Sequence, residues 1–194
     1  ENKRINDIAA MKKPDLNKVK ETLQLTDFPV QLTTELTTNC NLKCPACPYP
    51  HLKRERGAMS DALYKKIVDE IAQKKPKTTL WLAFMGEPTI LGKKLFEKIK
   101  YAKDKGIEDT SLNTNANLIN QEMIDWIFGS GLDKIYISID AATEESYKKI
   151  RAGGDFQKTR DVVLALMAER ERRKLDKPEI FAQFISMEEN AGED

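Results

Sequence analysis

Three cysteines stand at positions 40, 44 and 47, in the run Cys40-Asn-Leu-Lys-Cys44-Pro-Ala-Cys47, and the sequence holds no others. Thiolates are the natural ligands of iron–sulfur clusters. Three of them on one short loop can hold three irons of a cubane. The fourth iron then lacks a protein ligand and stays open to a small molecule, which a catalytic cluster needs and an electron-transfer cluster does not. A structural zinc site wants four ligands. The single histidine, His51, follows Cys47 by four residues and would have to be the fourth. A non-catalytic zinc or iron–sulfur module is therefore the alternative, although zinc sites usually use two well-separated pairs of ligands. An odd, tight cysteine cluster makes no disulfide framework and points to a reducing compartment, the cytoplasm.

The elements that must position this loop alternate between strand and helix from residue 31 onward. Strands are predicted at Gln31–Thr37, Thr79–Met85, Asp109–Asn113, Lys134–Ile139 and Glu179–Met187. The second is nearly all apolar, as a strand buried on both faces should be. Ser60 caps a predicted helix whose apolar face carries Leu63, Ile67, Val68 and Ile71. A second helix puts Leu95, Phe96, Ile99 and Ala102 on one stripe and stops near Gly106. Asn120 caps a third, with Met123, Ile124, Ile127 and Phe128, ending at Gly129 and Gly131. A short helix (Glu144–Ile150) and a longer one (Phe156–Lys174) flank Gly153-Gly154. Such alternation makes an α/β fold with a parallel sheet, either doubly wound or an open barrel, and places the site at the C-terminal ends of the strands. The cysteine loop starts where the first strand should end. Residues 1–30 read as an N-terminal extension, part of it helical near Leu16–Leu25, and 31–194 as the core. With five strands a barrel would be incomplete, and with Glu at position 1 the chain is expected to be a trimmed piece.

The spacing C-x3-C-x2-C after a first strand resembles the radical S-adenosylmethionine superfamily. The run Asn39-Cys40-Asn41-Leu42-Lys43-Cys44-Pro45 is similar to the branch of peptide-modifying and sulfatase-maturing enzymes, the SPASM type. The resemblance covers about Leu32 to Glu188. It implies a partial (β/α) barrel carrying a [4Fe–4S] cluster on Cys40, Cys44 and Cys47. Gly86-Glu87-Pro88 resembles the segment whose backbone and carboxylate receive the methionine ammonium of the cofactor, with Met85 in place of a first glycine. Asn113-Thr114-Asn115 looks like the Thr-Asn-Gly segment facing cofactor or substrate, with Ala116 replacing the glycine. Ser138-Ile-Asp140 and Arg151-Ala-Gly-Gly154 resemble the strand-four segment and the turn after it. There Ser138 would contact ribose or methionine and Arg151 would pair with the cofactor's carboxylate, a fit for a guanidinium fork. Each segment also has a plain reading, respectively a turn, a strand-end turn, and a helix cap beside a solvated charge. The fifth strand would border the adenine or simply pack in the core. The aromatic usual before the third cysteine is Ala46 here, and Tyr49 would supply that ring.

The resemblance implies reductive cleavage of S-adenosylmethionine to a 5′-deoxyadenosyl radical that takes hydrogen from a peptide, sugar or small metabolite. It also implies a reducing partner such as flavodoxin or ferredoxin. No catalytic side chain is assigned. The auxiliary clusters of the SPASM branch need further cysteines, which this sequence lacks.

The bulk properties exclude other classes. Lys plus Arg is 32 against 31 Asp plus Glu, a net charge of +1, which predicts no general attraction to nucleic acid or to an anionic membrane. Charge interrupts every apolar run before it is long enough to span a bilayer, and the lysine-rich first residues do not read as a signal peptide. The pairs Lys74-Lys75 and Lys93-Lys94 read as solvated charge.

Overall fold

A computed structural model describes residues 27–193. The expected extension over residues 1–30, with its helix near 16–25, lies outside the described residues except for 27–30. Five strands form one parallel sheet: β1 (Gln31–Thr33), β2 (Thr79–Trp81), β3 (Thr110–Thr114), β4 (Lys134–Ser138) and β5 (Glu179–Gln183). Their spatial order is β1-β2-β3-β4-β5, the order of the sequence. A doubly wound sheet reverses its order at a switch point. This one never reverses, so it is a singly wound, open segment of a (β/α) barrel.

The helices are α1 (Asp61–Lys74), α2 (Lys93–Asp104), α3 (Gln121–Gly129), α4 (Glu144–Ile150) and α5 (Phe156–Arg172). Four of them start on a side chain that accepts an otherwise orphaned backbone N–H: Ser60, Asn120, Thr143 and Asp155. In α2 the stripe Leu95, Phe96, Ile99 and Ala102 is buried as the periodicity predicts. In α1 the buried line is Tyr64, Val68 and Ile71, while Leu63 is exposed. Tyr64 wins that place because its ring packs in the core and its hydroxyl donates to the Lys98 carbonyl at 2.9 Å, tying α1 to α2. Leu80, Leu112, Ile135 and Ile137 meet these helices from the sheet and are fully buried. Each such side chain contributes about 2 kcal/mol.

Strands β1, β2, β4 and β5 end earlier than the sequence suggests, whereas β3 runs one residue further, to Thr114. After Thr33 only the Thr34 N–H still reaches β2, at the Trp81 carbonyl (2.7 Å), and Thr37 bridges Ala58 instead of continuing beside β2. Past Trp81, the Leu82 N–H still reaches the Ser111 carbonyl at 2.7 Å, but Phe84 is exposed rather than buried between two layers. Both departures open the C-terminal edge of the sheet.

Side chains alternate across each strand, and the face away from the helices is layered. At its N-terminal end Lys134 pairs with Asp109, which also accepts from the Thr79 hydroxyl. In the middle Trp81, Tyr136 and Phe181 stack in sequence, with ring centroids 4.8 and 4.6 Å apart. At the C-terminal end Gln183 accepts from Asn113 at 2.6 Å and from Ser138 at 3.4 Å.

Candidate functional site

The cysteine loop is pinned at several points. Leu36 and Leu42 are buried on either side of Cys40. The Lys43 N–H donates to the Ala152 carbonyl at 2.9 Å, docking the loop on the turn after α4. The Cys47 N–H donates to the Cys44 carbonyl, closing a turn between those two cysteines. Tyr49 binds back to the Cys40 backbone through its hydroxyl, and Arg56 lies over its ring at 4.1 Å from the centroid.

All three cysteines are free and partly exposed. Each thiol meets one N–H donor: Leu42 N–H at 3.5 Å from Cys40 Sγ, Tyr49 N–H at 3.4 Å from Cys47 Sγ, and Arg151 Nη1 at 3.9 Å from Cys44 Sγ. Burial pushes the Cys40 thiol up, and the nearby Glu87, Cys44 and Cys47 add to this. Burial also pushes Cys44 up, against the pull of Arg151. Metal loading must therefore displace protons from Cys40 and Cys44.

The loop after β2 abuts the cysteine loop. A Cβ on Gly86 would sit 1.9 Å from the Thr37 carbonyl oxygen, so only glycine fits there. The Glu87 N–H donates to the Asn39 carbonyl at 2.7 Å. The Glu87 carboxylate points inward and is fully engaged. It accepts from the Thr89 N–H and hydroxyl, from the Thr114 hydroxyl and from the Asn115 N–H, at 2.6 to 3.1 Å. Burial pushes this carboxyl up, and those four donors oppose the rise. Asn115 in turn donates to Asn41 on the cysteine loop at 2.9 Å. Ala116, where a glycine was expected from the resemblance, adopts φ 61°, the left-handed conformation glycine reaches without strain.

These loops enclose a cleft of about 360 Å³ at the C-terminal edge of the sheet. Its wall takes in Cys40, Cys44 and Cys47 together with Gly86, Glu87, Asn113, Asn115, Ser138 and Arg151. Tyr49, Pro88 and Asp140 are not on that wall. Pro88 is buried in the first turn of a short 3-10 helix, Tyr49 stands behind the cysteine loop, and Asp140 pairs with Arg151 from beneath. Sequence reasoning missed Trp81, Ala83 and Phe84 as cleft residues. Their apolar run signals a strand buried on both faces, but β2 ends at Trp81, and of the three Phe84 is exposed, Trp81 half-buried and Ala83 buried. It also missed Gln183 as the partner shared by Asn113 and Ser138. Strand parity marks Gln183 as an inward residue once the β4–β5 register is known, with Ser138 opposite Gln183.

Residues 34–171 match the sequence profile of the Radical SAM superfamily. The chain belongs to this superfamily. Among its radical SAM relatives, a tungsten-containing aldehyde ferredoxin oxidoreductase cofactor-modifying protein of Pyrococcus furiosus is 29% identical over 164 residues, 82% of this chain and 44% of the relative. A PqqA peptide cyclase of Bradyrhizobium diazoefficiens is 30% identical over 130 residues, 66% of this chain and 33% of the relative. The latter agrees with the peptide-modifying branch that the Asn39–Pro45 run resembles. The chain thus spans less than half the length of these curated relatives. The fold resembles the crystal structure of BtrN in complex with AdoMet and 2-DOIA, with a TM-score of 0.63 and 21% identity, over 81% of this chain and 57% of that one.

Membership implies a [4Fe–4S] cluster and S-adenosylmethionine. The residue types that border the cleft suit both. Three soft thiol donors, each with an N–H facing its sulfur, border one cleft. Three buried side-chain polar atoms, Ser111 Oγ, Asn113 Oδ1 and Arg151 Nε, have no partner among the described residues, although buried polar groups are rarely left unpaired, and two of the three belong to residues on the cleft wall. Among the described residues no group of three His, Cys, Asp or Glu side chains is gathered to hold a metal ion, and no helix is long and apolar enough to cross a membrane.

Proposed function

We propose that this chain holds a [4Fe–4S] cluster on Cys40, Cys44 and Cys47 and acts with S-adenosylmethionine to remove a hydrogen atom from a peptide, sugar or small metabolite. The observation that carries this reading is the opening of all three thiols onto one cleft at the C-terminal edge of a parallel sheet. When bound, the cluster supplies the electron that splits the sulfonium C–S bond into methionine and a 5′-deoxyadenosyl radical.

The chain's own residues bind, orient and exclude water. The cofactor's ammonium needs acceptors, and the Glu87 carboxylate already has four donors, so the backbone carbonyls of the loop around Gly86 take that role. Arg151 keeps its Nε free for the cofactor's carboxylate. Asn113 Oδ1 is a free acceptor, and Ser138 stands beside it on Gln183. These suit the hydroxyls of a ribose. Trp81, Ala83 and Phe84 form the apolar wall that shields a reactive radical. A flavodoxin or ferredoxin supplies electrons, and the free thiols suit the reducing cytoplasm.

The test is anaerobic reconstitution with iron and sulfide, followed by reduction and low-temperature electron paramagnetic resonance. A [4Fe–4S] signal that changes when S-adenosylmethionine is added, with 5′-deoxyadenosine formed, is expected. A signal indifferent to the cofactor, or tightly held zinc that His51→Ala releases, would replace this reading with a non-catalytic metal module.

A further inference from the structure

Two of the three N–H donors to the thiols are backbone groups of the cysteine loop itself, Leu42 and Tyr49. The third comes from a side chain 107 positions away, the guanidinium of Arg151. That reach is built rather than incidental. Arg151 sits just past the C-terminus of α4, and its N–H donates to the Tyr147 carbonyl at 2.7 Å. The next residue, Ala152, accepts from Lys43 on the cysteine loop. The chain neighbours of Cys44 and Arg151 are thus joined by a backbone hydrogen bond, Lys43 N–H to the Ala152 carbonyl.

The other arm of the guanidinium is fixed too. Arg151 Nη2 pairs with Asp140 Oδ2, and both side chains are largely buried. Asp140 is itself immobilised. Its backbone is left-handed, with φ 50°, its Oδ1 accepts from the Ile185 N–H at 2.8 Å, and its carbonyl accepts from Asn190 at 2.8 Å. A non-glycine residue in that conformation needs its surroundings to hold it there. The planar fork of arginine can bridge a carboxylate and a sulfur at once, which an ammonium on a flexible stem cannot.

We propose that Arg151, held by Asp140, is a positioning residue that sets the reduction potential of the cluster through Cys44. The proposal rests on the cluster reading above. A cation donating to a ligating sulfur favours the more negatively charged, reduced state. Hydrogen bonds to sulfur and net charge are among the levers that set cluster potentials. Arg151 thus raises the potential and makes the cluster easier to reduce.

The experiment is a potentiometric titration of the anaerobically reconstituted protein, followed by electron paramagnetic resonance, with no S-adenosylmethionine added. Iron and sulfide content is measured on each sample. Arg151→Gln is expected to hold a full cluster with its midpoint moved to more negative potential, and Arg151→Lys to fall between it and the unaltered protein. A full cluster in Arg151→Gln that titrates at the unaltered potential would overturn the proposal. If Arg151→Gln does not fold or load, Arg151→Lys decides: a lowered midpoint supports the proposal, and an unchanged one overturns it. Failure of the unaltered chain to take up a four-iron cluster would overturn this proposal and the cluster reading together. A normal cluster whose midpoint ignores residue 151 removes this proposal alone.

Discussion

The Tyr49 hydroxyl clasps the backbone of Cys40, accepting from its N–H at 2.9 Å and donating to its carbonyl at 3.2 Å. The segment from the first cysteine to just past the third is thereby closed into a ring. Tyr49→Phe removes both bonds and leaves the ring stacked under Arg56. It should destabilise the fold by about 1–2 kcal/mol and loosen the loop. The expected result is faster loss of iron to a chelator, followed by visible absorbance. Release as slow as in the unaltered protein would show that the loop holds its shape without this clasp.

Gly86→Ala should be far more disruptive than an ordinary glycine substitution. Its new Cβ would meet the Thr37 carbonyl oxygen at 1.9 Å, and both groups belong to backbones that carry the site. Relief requires moving one loop against the other, a cost of about 3 kcal/mol or more. A melting temperature within a degree or so of the unaltered protein would contradict this close contact.

Glu87→Gln tests the inward carboxylate. An amide keeps one acceptor oxygen and turns two donors toward groups that already donate, the Thr89 and Asn115 N–H and the two threonine hydroxyls. The loss should be about 1–3 kcal/mol, read from urea unfolding. The Asn115–Asn41 link next to the cysteines should weaken with it. A neutral outcome would mean that the carboxylate is not committed to these partners.

Asp133 should make stability depend on acid. Burial alone raises its carboxyl, but Lys103, Lys177 and the Thr110 N–H outweigh that and hold it below the usual range. A carboxyl depressed in the fold binds its proton later than in the unfolded chain as pH falls. The stability it contributes is therefore complete above the ordinary aspartate value, about 3.9, and is lost as pH falls through the lower folded value. Asp133→Asn should cost about 1–3 kcal/mol at neutral pH and flatten the acid limb of a plot of unfolding midpoint against pH. An unchanged limb would assign the acid sensitivity to other carboxylates.

Several features were legible in the sequence because their causes are local. Thiol chemistry and the spacing of Cys40, Cys44 and Cys47 define three ligands on one loop, whatever the rest of the chain does. Helical periodicity placed α2 with its buried stripe, and periodicity with the Asn120 cap placed α3, where Ile124 and Ile127 are buried and Met123 and Phe128 half-buried, since both signals depend on neighbours within a few positions. The alternation of strand and helix implied a parallel sheet. Only the tertiary structure decided that the sheet is singly wound, since strand order comes from pairing between distant segments. It also decided where the polar side chains point. Glu87 turns inward to Thr114 and Asn115, Tyr49 stands behind the cysteines, and Arg151 spans Asp140 and Cys44. Side-chain direction at a strand end depends on register and on the course of the loop beyond it. Both are set by long-range packing, so residue type and spacing can name these residues but cannot aim them.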